Sequence, residues 1–143
     1  MSEEPEKKYD VHVQWGVKIP MRDGVHLNAT FYTPKDLKEP RPAIFSLTPY
    51  IAVGDHGDAI FLAESGYPYL AIDVRGRGNS DGEFAPFFND PNDGHDIVAW
   101  TAKQPWCNGK VGARGISYVG FTQWATVRGG PSELATIVPS ATS

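Results

Sequence analysis

Two short apolar runs, Ala43-Ile44-Phe45-Ser46-Leu47 and Tyr69-Leu70-Ala71-Ile72, constrain this chain more than any other feature. Each is nearly continuous rather than alternating, and each is too short for an ordinary helix. A strand buried on both faces reads this way, and such strands belong to parallel sheets covered by helices. Helical signals separate and follow them. Residues 59–64 suit a short helix stopped at Gly66. Asp93 is placed to cap a helix over 94–103, with Ile97, Val98, Trp100 and Thr101 on its inner face and Pro105 ending it. An Asn108-Gly109 turn then leads to a glycine-rich strand over 111–116. A helix over 118–128 follows, closed by Gly129-Gly130-Pro131, and 134–138 forms a last strand. This alternation predicts an α/β fold with a mostly parallel sheet between helices.

A hairpin precedes these units. Val11, Val13, Trp15 and Val17 alternate with polar residues, and Val25, Leu27, Ala29 and Phe31 do so again after a turn at Asp23-Gly24. Residues 34–42, with three prolines, read as an exposed loop, and 73–91 as a long one. Residues 1–10 are expected to be a disordered tail and 11–143 the folded domain. The chain has 143 residues, 41% hydrophobic and 21% charged, which suffices for the core of one domain. Net charge is −4 and no run of Lys or Arg forms a basic patch, which argues against a nucleic-acid partner. The lone Cys107 excludes an internal disulfide. No apolar stretch approaches the roughly 18 residues that span a bilayer, and the N-terminus has no apolar leader, so the expected setting is cytoplasmic, without a membrane.

The segment with the most chemical content is Gly115-Ile116-Ser117-Tyr118-Val119-Gly120, at a predicted strand-to-helix junction. A serine there sits on a tight, strained turn with its hydroxyl above the strand ends, the context of a nucleophile elbow. The Tyr118 amide, at a helix N-terminus, is suited to a developing oxyanion. The hexapeptide alone also suits an ordinary strand–helix junction.

Six separated segments complete the pattern: Met21-Arg22-Asp23-Gly24-Val25-His26-Leu27, Thr48-Pro49-Tyr50, Asp73-Val74-Arg75-Gly76-Arg77-Gly78 leading to Ser80-Asp81-Gly82-Glu83-Phe84, Asp93-Gly94-His95-Asp96-Ile97-Val98-Ala99-Trp100, Pro105-Trp106-Cys107-Asn108-Gly109-Lys110-Val111-Gly112, and the Ser117 turn. In this order they resemble the X-Pro dipeptidyl-peptidase/cocaine-esterase (CocE/NonD) family of serine hydrolases, from about residue 11 to residue 143. The resemblance implies the N-terminal half of an α/β-hydrolase domain, which in that family carries a helical cap and a C-terminal jelly-roll domain. It implies Ser117 as nucleophile, with the Tyr50 hydroxyl and the Tyr118 amide as oxyanion donors. It implies no cofactor, and an ester, amide or short peptide as substrate.

A serine hydroxyl needs a base, and in this fold the order is Ser, then Asp or Glu, then His. After Ser117 stand one acidic residue, Glu133, and no histidine; His12, His26, His56 and His95 all lie upstream. The resemblance places none of the four in a triad. The reading is a truncated chain, inactive alone. A non-catalytic remnant, or a half-domain completed by a separate C-terminal partner, stands as the alternative. A half-sheet with an open edge is expected to self-associate.

Other constellations favour bland readings. Asp55-His56-Gly57-Asp58 and Asp90-Pro91-Asn92-Asp93-Gly94-His95-Asp96 fail the EF-hand spacing and lack cysteine partners for zinc. They read as turn and capping residues, and no metal is expected. Gly76-Arg77-Gly78 lacks the residues of a phosphate loop. The resemblance makes Asp81 and Glu83 candidates for holding a substrate ammonium, as acidic residues do in the related α-amino-acid ester hydrolases, but they read as solvated loop carboxylates. Trp100, Trp106 and Trp124 read as core packing.

Overall fold

A computed structural model describes residues 7–141. The elements run β1 (Val11–Pro20), β2 (His26–Pro34), β3 (Arg41–Thr48), a 3-10 turn (Ala52–Asp55), α1 (His56–Glu64), β4 (Tyr69–Asp73), α2 (Asp90–Ala102), β5 (Cys107–Ile116), α3 (Tyr118–Arg128) and β6 (Leu134–Ser140). One six-stranded sheet holds them in the order β1-β2-β4-β3-β5-β6. The β1–β2 and β2–β4 pairs are antiparallel, while β3 runs parallel to both β4 and β5, and β5 to β6.

This order follows from handedness. From β3 the chain crosses to β4 on one side and then passes back over β3 to β5 on the other. Right-handed crossovers in opposite directions put the helices on opposite faces. So α1 covers one face, over Tyr32, Tyr69 and Ala71. The helix α2 covers the other, over the larger core of Leu27, Phe45, Leu47, Leu70, Ile72, Val111 and Ala113, to which it contributes Ile97 and Val98. The two apolar runs become β3 and β4. All five residues of β4 are buried, as a central strand requires.

The β1–β2 turn closes where expected. Gly24 takes φ 88°, and the Met21 amide donates to the Val25 carbonyl at 2.8 Å. The register shifts between Gln14 and Val17, and this bulge turns Trp15 out to solvent, where it stacks on the His56 ring 6.1 Å away. Of the tail expected over 1–10, residues 1–6 lie outside the described residues. Residues 7–10 are tied down: the Lys8 and Tyr9 amides donate to the Glu64 carbonyl, and the Lys35 amide to that of Asp10.

Three expectations need correction. The helix α2 begins at Asp90, not after Asp93, so the preceding loop is shorter than the sequence suggested. Its N-cap is Asn89, with Pro91 in the first turn where a missing N–H costs nothing. Asp93 does not cap. It lies inside the helix, buried, and receives Arg75 Nε at 3.0 Å and Nη2 at 2.8 Å. β5 starts at Cys107, which pairs with Arg41, rather than at Val111; Asn108-Gly109 lies within it at a register shift, with Gly109 at φ 92° and the Lys110 amide donating to Asn108 Oδ1 at 3.1 Å. Trp124 is not core: it faces outward from α3 and is half exposed, whereas Trp100 and Trp106 pack against the main core.

Among the described residues no helix is long and apolar enough to cross a membrane. Beyond α1, β5 and β6 leave a groove of about 260 Å³ lined by Ile44, Leu62, Gly112, Arg114, Thr136 and Val138.

Candidate active site

Parallel α/β sheets bind ligands at the carboxyl ends of their strands, where the strand order reverses. Here the reversal lies between β3 and β5. Tyr50 stands two residues beyond the end of β3, and Ser117 directly follows β5.

Ser117 has φ 60° and ψ −122° and is exposed. A non-glycine residue with positive φ carries strain of about 1–3 kcal/mol and persists only where its surroundings enforce it. Several contacts enforce it here. The Ser117 amide donates to the Ser140 carbonyl of β6 at 2.9 Å, and its carbonyl accepts the Gly120 and Phe121 amides as α3 begins. The buried Gln123 side chain donates to the Gly115 carbonyl at 3.1 Å and accepts the Val138 amide at 2.7 Å, pinning the turn to β6. Thr122 Oγ1 donates to the Leu47 carbonyl at 2.8 Å, docking α3 on β3. Gly115, at φ 146°, admits no side chain: a Cβ there would lie 2.1 Å from Val119 Cγ1.

The structure brings the three expected site residues together. The Tyr50 hydroxyl donates to Ser117 Oγ at 3.3 Å, and the Tyr118 amide donates to the Tyr50 hydroxyl oxygen at 3.4 Å. A hydroxyl and an amide thus converge beside the serine oxygen. Two donors on rigid elements at such a point can stabilise the negative charge of a tetrahedral intermediate.

Tyr118 is itself held. Its hydroxyl donates to Asp90 Oδ2 at 2.9 Å and accepts the Phe87 amide at 3.0 Å. Burial pushes the Tyr118 hydroxyl up to about 12, so it stays a donor at neutral pH. Burial also raises the Asp90 carboxyl, against the downward pull of the Tyr118 hydrogen bond. Phe87, at φ 67°, stacks on the Tyr118 ring 4.9 Å away and meets Phe121 edge-on. Tyr50, Ile51, Phe87, Phe88 and Ile116 leave apolar surface exposed.

Among the described residues, the side chain hydrogen-bonded to Ser117 Oγ is Tyr50. His56 Nδ1 instead pairs with the Tyr32 hydroxyl at 2.7 Å, and His95 Nδ1 with the Gly129 carbonyl at 2.8 Å. His12 and His26 sit exposed on β1 and β2. Asp81 and Glu83 are exposed in the loop between β4 and α2. Sequence reasoning missed Asp90 and Gln123 as supports of the site. Asp90 stands in a motif that the sequence reads as turn and capping residues, and Gln123 carries no local signal.

The family profile of X-Pro dipeptidyl-peptidase (S15 family) matches residues 23–143. The chain belongs to that family. The cocaine esterase of Rhodococcus sp. (strain MB1 Bresler) is 36% identical over 137 residues, 89% of this chain and 23% of the relative. An α-amino acid ester hydrolase superposes with a TM-score of 0.82 at 28% identity, covering 100% of this chain and 27% of the other. An aminopeptidase from the marine sediment archaeon Thaumarchaeota archaeon gives 0.80 at 26% identity, covering 99% and 27%. The chain therefore spans about a quarter of the length of these relatives. Its sheet and helices are the N-terminal part of an α/β-hydrolase fold.

Proposed function

We propose that Ser117 is the nucleophile of an acyl-transfer site, with the Tyr50 hydroxyl and the Tyr118 amide as its oxyanion donors. One observation carries this reading: a strained serine at a strand–helix junction has its Oγ 3.3 Å from the Tyr50 hydroxyl, which in turn meets the Tyr118 amide. In the reaction Ser117 Oγ attacks the carbonyl carbon of an ester or amide, and its proton passes to a base. The carbonyl oxygen becomes an oxyanion between Tyr50 and Tyr118. Collapse expels the alcohol or amine with a proton, and water then releases the acid and frees the serine. No step needs a cofactor. The substrate class is a small ester, amide or short peptide, in keeping with an esterase, an ester hydrolase and an aminopeptidase among the relatives.

The base is proposed to come from outside these 143 residues, because His56 and His95 are engaged elsewhere, His12 and His26 lie exposed on β1 and β2, and Ser117 Oγ meets only Tyr50 among the described residues. The chain alone is then a half-site without turnover, which a C-terminal partner or continuation would complete. The purified chain is tested with p-nitrophenyl acetate beside Ser117→Ala. The expected result is equal background hydrolysis by both proteins. Turnover that disappears in Ser117→Ala would mean that the chain holds its own base.

A further inference from the structure

We propose that Asp73 is a positioning residue for the oxyanion cradle: its buried carboxylate fixes the backbone after Tyr50 and so aims the Tyr50 hydroxyl at Ser117. The inference rests on the roles just proposed for Tyr50 and Ser117.

Asp73 ends β4, directly opposite Thr48 at the end of β3, so the two parallel strands finish side by side. The chain leaving β3 must rise, present Tyr50 and return to α1. It does so through Ile51, at φ 75° and ψ 122°. A β-branched residue with positive φ is a genuine outlier, and contacts on both sides must hold it there. Before it, the Tyr50 amide donates to Thr48 Oγ1 at 3.0 Å. After it, the Ala52 amide donates to Asp73 Oδ1 at 2.7 Å. The second bond is short and charge-assisted, and so the stronger clamp. Ala52 is itself buried, so without Asp73 its N–H would lose its acceptor and the turn its reason to stay strained.

The carboxylate is sealed as well as bonded. The loop after β4 folds over it, and the Asn79 amide approaches Oδ2 at 3.4 Å. Gly78, at φ 53°, lies so close that a Cβ there would be 2.4 Å from the Asp73 carboxylate. Ser80 Oγ donates to the Asp73 carbonyl and accepts the Asn28 amide, both at 2.7 Å, which ties this loop to β2. Asp73 is 2% exposed, yet among the described residues it forms no salt bridge. Burying a carboxylate without a cation is costly, and a neutral side chain would serve the fold at lower cost. What the charge does achieve is a fixed Tyr50–Ile51–Ala52 turn beside the serine.

The test measures labelling of Ser117 by a fluorophosphonate, with imidazole added as base. In that reaction Oγ displaces fluoride from phosphorus and imidazole takes the proton. Asp73→Ala and Asp73→Asn are each made alone and combined with Tyr50→Phe. Asp73→Ala is expected to slow labelling about tenfold. Asp73→Asn keeps one acceptor for the Ala52 amide and is expected to slow it only about threefold. Neither is expected to slow the Tyr50→Phe protein further. The Asn variant preserves volume and carries the comparison where Asp73→Ala does not fold. Slowing that persists undiminished in the Tyr50→Phe background, or rates within about twofold of wild type for both Asp73 variants, would overturn the proposal. A second readout does not depend on reactivity: Ala52 amide exchange and the contact between the Tyr50 ring and the Tyr118 amide, both by NMR. If wild type and Ser117→Ala label alike, the nucleophile assignment fails, and the NMR readout decides on Asp73. Faster Ala52 exchange with loss of the ring contact in the Asp73 variants supports positioning, and an unchanged contact refutes it.

Discussion

At Ser117 the chain accepts backbone strain to lift a hydroxyl clear of the sheet, and Gly115 makes that possible by letting Val119 close over the turn. Gly115→Ala is expected to destabilise the fold by about 1–3 kcal/mol through overpacking, read by urea denaturation. Tyr50→Phe removes the hydroxyl proposed as an oxyanion donor while leaving the ring in place. In a completed site it is expected to lower kcat by about 10²–10³ with little change in KM, the mark of a contact made only in the transition state. Arg75 is a structural counterpart. It bridges the buried Asp93 and the exposed Asp23, and hydrogen bonding to Asp93 raises its pKa above the ordinary value. Arg75→Leu strands the Asp93 carboxylate and is expected to cost about 3–5 kcal/mol, again by urea denaturation. Glycine spacing and motif order single out Ser117, Tyr50 and Tyr118 in the sequence, and the fold brings the three together. Asp73 and Asp93 were not legible in their roles: near turns an aspartate reads as a cap or a loop residue, and only the packed fold shows which carboxylates are buried.

Among the elements, β3, β4 and α3 were legible from apolar runs and glycine punctuation, since burial on both faces leaves no alternation to mislead. The start of α2 was not. Asp93 resembles a cap, but Pro91 and Asn89 let the helix begin four residues earlier, and the tertiary pull of Arg75 makes Asp93 an interior residue. The same helix is clamped to the β1–β2 turn through Asp96, which accepts the Arg22 amide at 2.9 Å and its guanidinium at 2.8 Å. Partial burial pushes the Asp96 carboxyl up, but its hydrogen bonds from Arg22 outweigh this and hold it below the ordinary value. Its contribution to stability is therefore present above the ordinary carboxylate value and is lost as pH falls through the lower folded one. Asp90 runs the other way: its folded pKa is raised, so stability falls as pH climbs from the ordinary value through the raised one. Asp96→Asn is expected to cost about 1 kcal/mol at neutral pH, a difference that thermal melts should show vanishing at acid pH.

At the scale of the molecule, β6 is an open edge, and the groove beside α1 exposes Val138 and Leu62 without a covering helix among the described residues. Trp124, Val127 and Ile116 add further exposed apolar surface. Such edges pair with other chains. Sedimentation of the purified chain is therefore expected to give a mass above the 15.7 kDa of one copy, rising with concentration, and a monodisperse monomer would contradict this. The fold class was legible from strand–helix alternation, but neither the exposure of Trp124 nor the turning-out of Trp15 at its bulge was, since both depend on which neighbours cover each face. On the proposed function, Ser117 sits in a formed oxyanion cradle and lacks only a base. This reading is tested most directly by intact-mass analysis of the chain after fluorophosphonate treatment, with and without imidazole. A single adduct on Ser117 is expected, appearing with imidazole and absent from Ser117→Ala. An adduct of equal yield in wild type and Ser117→Ala, or full labelling of Ser117 without imidazole, would contradict it.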